Sequence, residues 1–194
     1  MEANTLRGRA KAQRRVALKN AAITLFASRG FTDTPLEDIG SAAGVSGPAV
    51  YRHFENKQAV LAAILVEQST ELLEGGRAVL AQDLGSEETI EALVEAHVAF
   101  SLRRAEIIRI QDHDLDKLAE GDRHTVRAAQ RAYVEIWVDL LADLHPDEPA
   151  AARRTRAHAA FGLMNSTPYS AGRGQHTRRV IERMTLAALR APLS

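Results

Sequence analysis

The stretch from Thr34 to Phe54, TPLEDIGSAAGVSGPAVYRHF, constrains this chain more than any other. Thr34 is suited to N-cap a helix, with Pro35 at the first helical position, where its missing N–H costs nothing. Glu37 stands three residues after Thr34, the spacing of a capping box, and Asp38 adds negative charge near the positive helix end. Leu36, Ile39 and Ala43 recur on one helical face. Gly44 supplies a left-handed turn, Ser46 is placed to cap a second helix, and Pro48 falls early enough in it to be tolerated. Val50 and Phe54, four apart, turn inward and leave Tyr51, Arg52 and His53 outside. Two short helices joined by a tight turn, the second with a polar and aromatic outer face, make a helix-turn-helix. Such a second helix enters the DNA major groove.

The net charge of zero hides an asymmetry. Residues 1–57 hold nine lysines and arginines against five acids, and residues 58–194 hold sixteen against twenty. Six of the nine precede residue 20: Arg7, Arg9, Lys11, Arg14, Arg15 and Lys19. One region suited to phosphates and another that is not follows from this distribution, although a basic run also serves as a solvated face. Cysteine is absent, which removes disulfides, thiolate metal sites and a cysteine nucleophile. No apolar run reaches the ~18 residues of a membrane span, and no apolar core marks a signal peptide, so a cytoplasmic protein is expected.

The rest of the chain reads as helices. A flexible basic arm is expected over 1–8 and a helix over 9–29, with Val16, Ile23, Phe26 and Ala27 buried. Gly30 ends that helix and Phe31 folds back on it. Asn56 caps a fourth helix bearing Val60, Leu61, Ile64, Leu65, Leu72 and Leu73, frayed or bent at Gly75-Gly76. Further helices are expected over 86–104, 105–112, 116–144, from Asp147 to about 165, and over 176–190. No segment alternates with period two. The expected fold is therefore all-α, with a three-helix helix-turn-helix domain over 9–56. The fourth helix links it to a bundle of about five to six helices within 57–194.

The segment from about 10 to 65 resembles the DNA-binding domain of TetR-family transcriptional regulators. The resemblance rests on Ala22, Phe26 and Gly30-Phe31, on Thr34, Ile39 and Ala43-Gly44-Val45-Ser46, and on the Tyr51-x-His53-Phe54-x-x-Lys57 ending. It implies that Tyr51 and His53 meet phosphates, joined by Lys57 and by Thr34 and Ser46 through hydroxyls and helix N-terminal N–H groups. Base reading then falls to Gly47, Pro48, Ala49 and Arg52. Gly47 and Pro48 depart from the family's commoner polar or basic residues, so sequence choice leans on Arg52, on the first two helices or on DNA shape.

The resemblance further implies a repressor that binds a palindromic operator as a homodimer. The last two helices, 148–165 and 176–190, would form the interface, and an effector in the second domain would release the DNA. Candidate pocket residues are His97, Phe100, Ile107, Ile110, His113, Tyr133, Trp137, Phe161, Asn165 and Tyr169, each of which also reads as ordinary core or surface. The Ala/Arg-rich composition resembles that of regulators of lipid or acyl-coenzyme A metabolism, which implies a small hydrophobic or amphipathic effector of acyl or acyl-coenzyme A type. No metal or cofactor is expected; His113 with Asp112, Asp114 and Asp116 lacks a second histidine at helical spacing. A regulator acting by DNA occupancy without an effector is one alternative. A helical enzyme using the second-domain pocket is a remote one, since there is no P-loop, HExxH or cysteine.

Overall fold

The computed structural model describes residues 2–170, 172 and 174–192, with side chains from Gly8 onward. Nine α-helices occur among them: α1 Glu2–Arg29, α2 Leu36–Ala42, α3 Gly47–Val50, α4 Lys57–Leu80, α5 Ser86–Arg103, α6 Ala105–Asp114, α7 Glu120–Leu144, α8 Ala150–Met164 and α9 Gln175–Arg190. Single 3-10 turns lie at Leu115–Lys117 and Thr167–Tyr169, and no strand occurs among the described residues. The all-α expectation agrees with this. No helix among the described residues is long and apolar enough to cross a membrane.

The chain divides into two compact units. Met1–Glu67 with Arg109–His124 forms one, and Gln68–Ile108 with Thr125–Ser194 the other. The boundary between the units at Glu67/Gln68 lies inside α4, which starts at Lys57 and runs unbroken through Gly75-Gly76 to Leu80, without the expected fraying.

Several element boundaries differ from expectation. α1 begins at Glu2, so residues 2–8 of the expected arm are helical; Met1 lies outside the described residues. Its buried row is Leu18, Ala22 and Phe26, whereas Val16 is 49% exposed. Both rows satisfy the helical period, and the neighbouring helices select the one at i, i+4. α2 begins at Leu36 with Pro35 as N-cap, and α8 begins at Ala150 with Pro149 as N-cap. In both cases proline takes the extended position just before the first turn (ψ 152° and 150°); for Pro35 that is one residue earlier in the helix than the sequence suggests, and α8 starts three residues after the expected Asp147. α7 starts at Glu120, four residues after the expected 116.

In the first unit Leu36, Ile39, Val45, Val50 and Phe54 are buried, as are Val60, Leu61, Ile64 and Leu65 on α4. Phe31 folds back on Phe26 with ring centroids 5.2 Å apart. In the second unit Leu93, Val94, Val98, Tyr133, Trp137, Leu141, Ala157, Ala160, Met164, Ile181 and Leu189 form one core from α5, α7, α8 and α9.

Candidate functional site

The turn of the helix-turn-helix is made as the sequence requires. Gly44 has φ +66°, a conformation that a β-carbon penalises, and the following Val45 N–H donates to Gly40 O at 2.8 Å. Ser46 takes the N-cap position of α3 in extended conformation, though its side chain makes no cap bond, and Pro48 lies in the first turn. Ser46, Pro48, Tyr51 and Arg52 are exposed, and Gly47, Ala49 and His53 are half-buried. Seven of the nine expected DNA-facing residues thus sit on α3 or next to it.

The side-chain partners were not legible in advance. The expected capping box does not form. Thr34 is fully buried and its hydroxyl donates to Gly30 O at 2.8 Å, which takes it off the exposed surface. Glu37 instead accepts the Tyr51 hydroxyl at 2.6 Å. That bond holds the Glu37 carboxyl below its usual value and pushes the Tyr51 phenol up. Lys57 donates to Phe31 O and Thr32 O, both at 2.8 Å, and its ammonium stands 4.6 Å from the Phe31 ring centroid. It therefore braces the α1–α2 turn, with one of its three N–H donors left over. Asn56 does cap α4, accepting the Ala59 N–H at 2.8 Å.

Positive charge gathers at His53. Burial lowers its pKa first, and Lys11, Arg14, Arg15 and Arg52 lower it further. Arg15 donates to His53 O at 2.7 Å and lies 4.0 Å over the Phe54 ring. The basic residues of α1 and of the second helix thus share one neighbourhood, within the range of mutual repulsion. The sequence showed the basic run but not its address.

The second unit holds a cavity of about 300 Å³ lined by Leu72, Gly75, Gly76, His97, Phe100 and Tyr133, with Glu71 and Arg103 among the polar lining. His97 is buried between two partners. Its Nδ1 lies 3.0 Å from Tyr133 Oη and its Nε2 lies 3.1 Å from Asn165 Oδ1, which also accepts the Ser101 hydroxyl at 3.2 Å. The amide oxygen only accepts, so Nε2 carries the proton and Nδ1 accepts from the phenol. Burial pushes His97 down to about 4, despite the opposing bond to Asn165, and pushes the Tyr133 phenol up. The inner wall is therefore uncharged at neutral pH. Phe161 stacks on His97 at 5.5 Å and meets Trp137 edge-on at 5.3 Å.

Of the expected pocket residues, His97, Phe100, Tyr133, Trp137, Phe161 and Asn165 are brought together. Four are not. Ile107 is buried core away from the cavity wall, Ile110 and His113 belong to the first unit, and Tyr169 is 67% exposed. Their apolar or aromatic character suited a pocket, but α6 and the 3-10 turn at Thr167–Tyr169 turn them elsewhere. Ser101 and the Gly75-Gly76 pair join the site beyond the expected residues. The i, i+4 step from His97 and a glycine doublet inside a helix were the available signals. No cluster of three metal-ligating side chains occurs among the described residues.

Residues 18–64 match the family model for bacterial regulatory proteins of the tetR family, and residues 83–189 match a tetracyclin repressor-like C-terminal domain. The chain belongs to the TetR family. It is 32% identical over 133 residues to the HTH-type transcriptional repressor KstR2 of Rhodococcus jostii, covering 68% of this chain and 65% of that protein. It is 33% identical over 156 residues to the HTH-type transcriptional activator FasR of Mycolicibacterium smegmatis, covering 78% and 68% respectively. The match thus spans about two thirds of the length of these relatives. The fold is shared with AibR, solved in complex with isovaleryl coenzyme A and operator DNA, at a TM-score of 0.77 and 19% identity over 93% of this chain and all of that one. The family and these relatives are transcriptional regulators rather than enzymes, and this TetR-family chain is a transcriptional regulator of the same type.

Proposed function

We propose that this protein is a cytoplasmic repressor that binds a palindromic operator as a homodimer and leaves it when a small molecule enters the second-unit cavity. The observation that carries the DNA-binding half is the gathering of Lys11, Arg14, Arg15 and Arg52 around His53, beside the exposed face of α3. Phosphate contacts come from Tyr51, His53, Ser46 and the remaining N–H of Lys57, and base contacts from Arg52, Ala49 and Pro48, with Gly47 letting the backbone approach. Repression follows KstR2, while FasR is named an activator.

A single four-residue helix reads too few bases for useful specificity, and two related by a two-fold axis reach grooves ~34–36 Å apart. Val180 and Met184 on α9, 41% and 53% exposed, share a face with Ala187, and on α8 Ala151, Thr155, Ala159 and Gly162 are exposed at helical spacing. Small residues beside larger apolar ones suit close helix packing, which supports pairing through α8 and α9.

The effector is small and hydrophobic or amphipathic. A cavity of about 300 Å³ with an uncharged His97–Tyr133 wall suits an apolar or neutral group, and Arg103 at its edge suits an acidic one. An acyl group on coenzyme A has both characters, and AibR was solved with such a compound. α4 carries Lys57 at its first position and Gly75 and Gly76 further on, so one helix serves both the interface and the cavity. Coupling of this kind equals the effector's differential affinity for two arrangements of α4.

Selection of bound fragments from random duplex DNA tests the proposal. It should return an inverted repeat, bound two chains at a time, and a pool without enrichment refutes it. Isovaleryl coenzyme A should weaken that complex, and Gly75→Leu, which fills the cavity, should abolish the response while leaving DNA binding intact. An undiminished response in the variant removes the cavity from the mechanism.

A further inference from the structure

We propose that Glu37 is a latch on the DNA-facing surface: its carboxylate holds the Tyr51 hydroxyl in the free protein and must release it before that hydroxyl meets a phosphate. The inference rests on the reading of Tyr51 as a backbone contact given above.

Glu37 is the second residue of α2 and Tyr51 is the C-cap of α3, so the bond spans the two helices of the motif. Oη stands 2.6 Å from Oε1, the short distance of a hydrogen bond to an ionised acceptor. Both side chains are exposed, and the Tyr51 residue keeps 52% of its surface open, so packing does not force them together. Asp38, the next residue, is held by Arg29 at 3.1 Å. Among the described residues no cation pairs with Glu37.

A phenol has one proton to donate. A carboxylate and a phosphodiester oxygen are both acceptors only, so one hydroxyl cannot serve both. The Tyr51–Glu37 bond and a Tyr51–phosphate bond are mutually exclusive. The negative charge of Glu37 also stands within hydrogen-bonding distance of the atom a phosphate has to reach, and it repels that phosphate. Both effects raise the threshold for docking on DNA. The bland alternative is that Glu37 serves only the positive end of α2, where an acid is favourable. That role predicts a change in stability and none in DNA affinity.

Glu37→Gln separates these. Glutamine keeps the size and removes the charge, so any bond its amide oxygen accepts from the phenol is weaker, and its amide N–H is able to donate to the Tyr51 oxygen and leave the phenolic proton for a phosphate. Affinity for the duplex enriched from the random pool is measured for the wild type, Glu37→Gln, Tyr51→Phe and the double variant, with a thermal melt of each. A latch predicts that Glu37→Gln tightens binding about three- to tenfold in the wild-type background. In the Tyr51→Phe background, where only the charge repulsion is left to relieve, the same change should tighten binding by at most about twofold. Equal tightening in both backgrounds means Glu37 acts as a charge beside phosphates and holds no latch. Unchanged or weaker binding by Glu37→Gln overturns the proposal outright. A pool that yields no enriched duplex overturns the DNA-binding reading itself, and the latch with it.

Discussion

Gly76 lies so close to Tyr133 that a β-carbon at position 76 would stand 2.8 Å from Cε2 and 3.1 Å from Cδ2 of the ring. The ring has nowhere to go, because Tyr133 is buried and its hydroxyl is bonded to His97. Gly75, one residue earlier, faces open space. The two glycines therefore have opposite reasons to be there. Gly76→Ala should destabilise the protein by about 1–3 kcal/mol through forced repacking. Gly75→Ala should stabilise α4 by about 0.5–1 kcal/mol, since alanine is the better helix former and meets nothing. Thermal or denaturant unfolding of both variants checks the opposite signs.

The buried His97 makes stability depend on pH. Unfolded, the imidazole titrates near 6.5, and in the native core near 4. Between these values unfolding takes up a proton, so stability is whole above pH 6.5 and declines as pH falls towards 4, by up to about 3 kcal/mol. His97→Gln keeps a hydrogen-bonding side chain without a titrating ring. It should flatten that slope in denaturant midpoints measured from pH 7 to pH 4.

Arg156 terminates α9 from α8. Its guanidinium, 5% exposed, pairs with Glu148 and donates to Ala188 O at 2.9 Å and Ala191 O at 2.8 Å, while His145 Nε2 donates to Leu189 O at 2.7 Å. Arg156→Ala removes the cap from the end of a helix and strips Glu148 of its partner. The melting temperature should drop by several degrees. Arg154→Ala breaks the bidentate but exposed pair with Glu135, at 2.7 and 2.9 Å, and should leave it nearly unchanged.

Lys57 and Arg52 should separate structural from electrostatic roles. Lys57 holds two carbonyls of the α1–α2 turn, while Arg52 is exposed on the outer face. Lys57→Ala should lower both the melting temperature and DNA affinity. Arg52→Ala should lower affinity or relax base preference at one position with the melting temperature unchanged. Melting curves beside binding isotherms at several salt concentrations distinguish them.

Local signals in the sequence determined the helices, the Gly44 turn, the Asn56 cap, the Ser46 start of α3 and the alternation of inward Val50 and Phe54 with outward Tyr51 and Arg52. Such features depend on backbone preferences acting over a few residues, which every chain writes into its order. The tertiary structure decided which partners the polar side chains found: Thr34 with Gly30, Tyr51 with Glu37, and Lys57 with Phe31 and Thr32. It also chose Leu18 over Val16 for burial and drew His97, Tyr133 and Asn165 from three helical segments into one network. Helical periodicity allows more than one buried row, and a long polar side chain reaches several acceptors. Only the positions of neighbouring helices, fixed by packing between residues far apart in the chain, select among them.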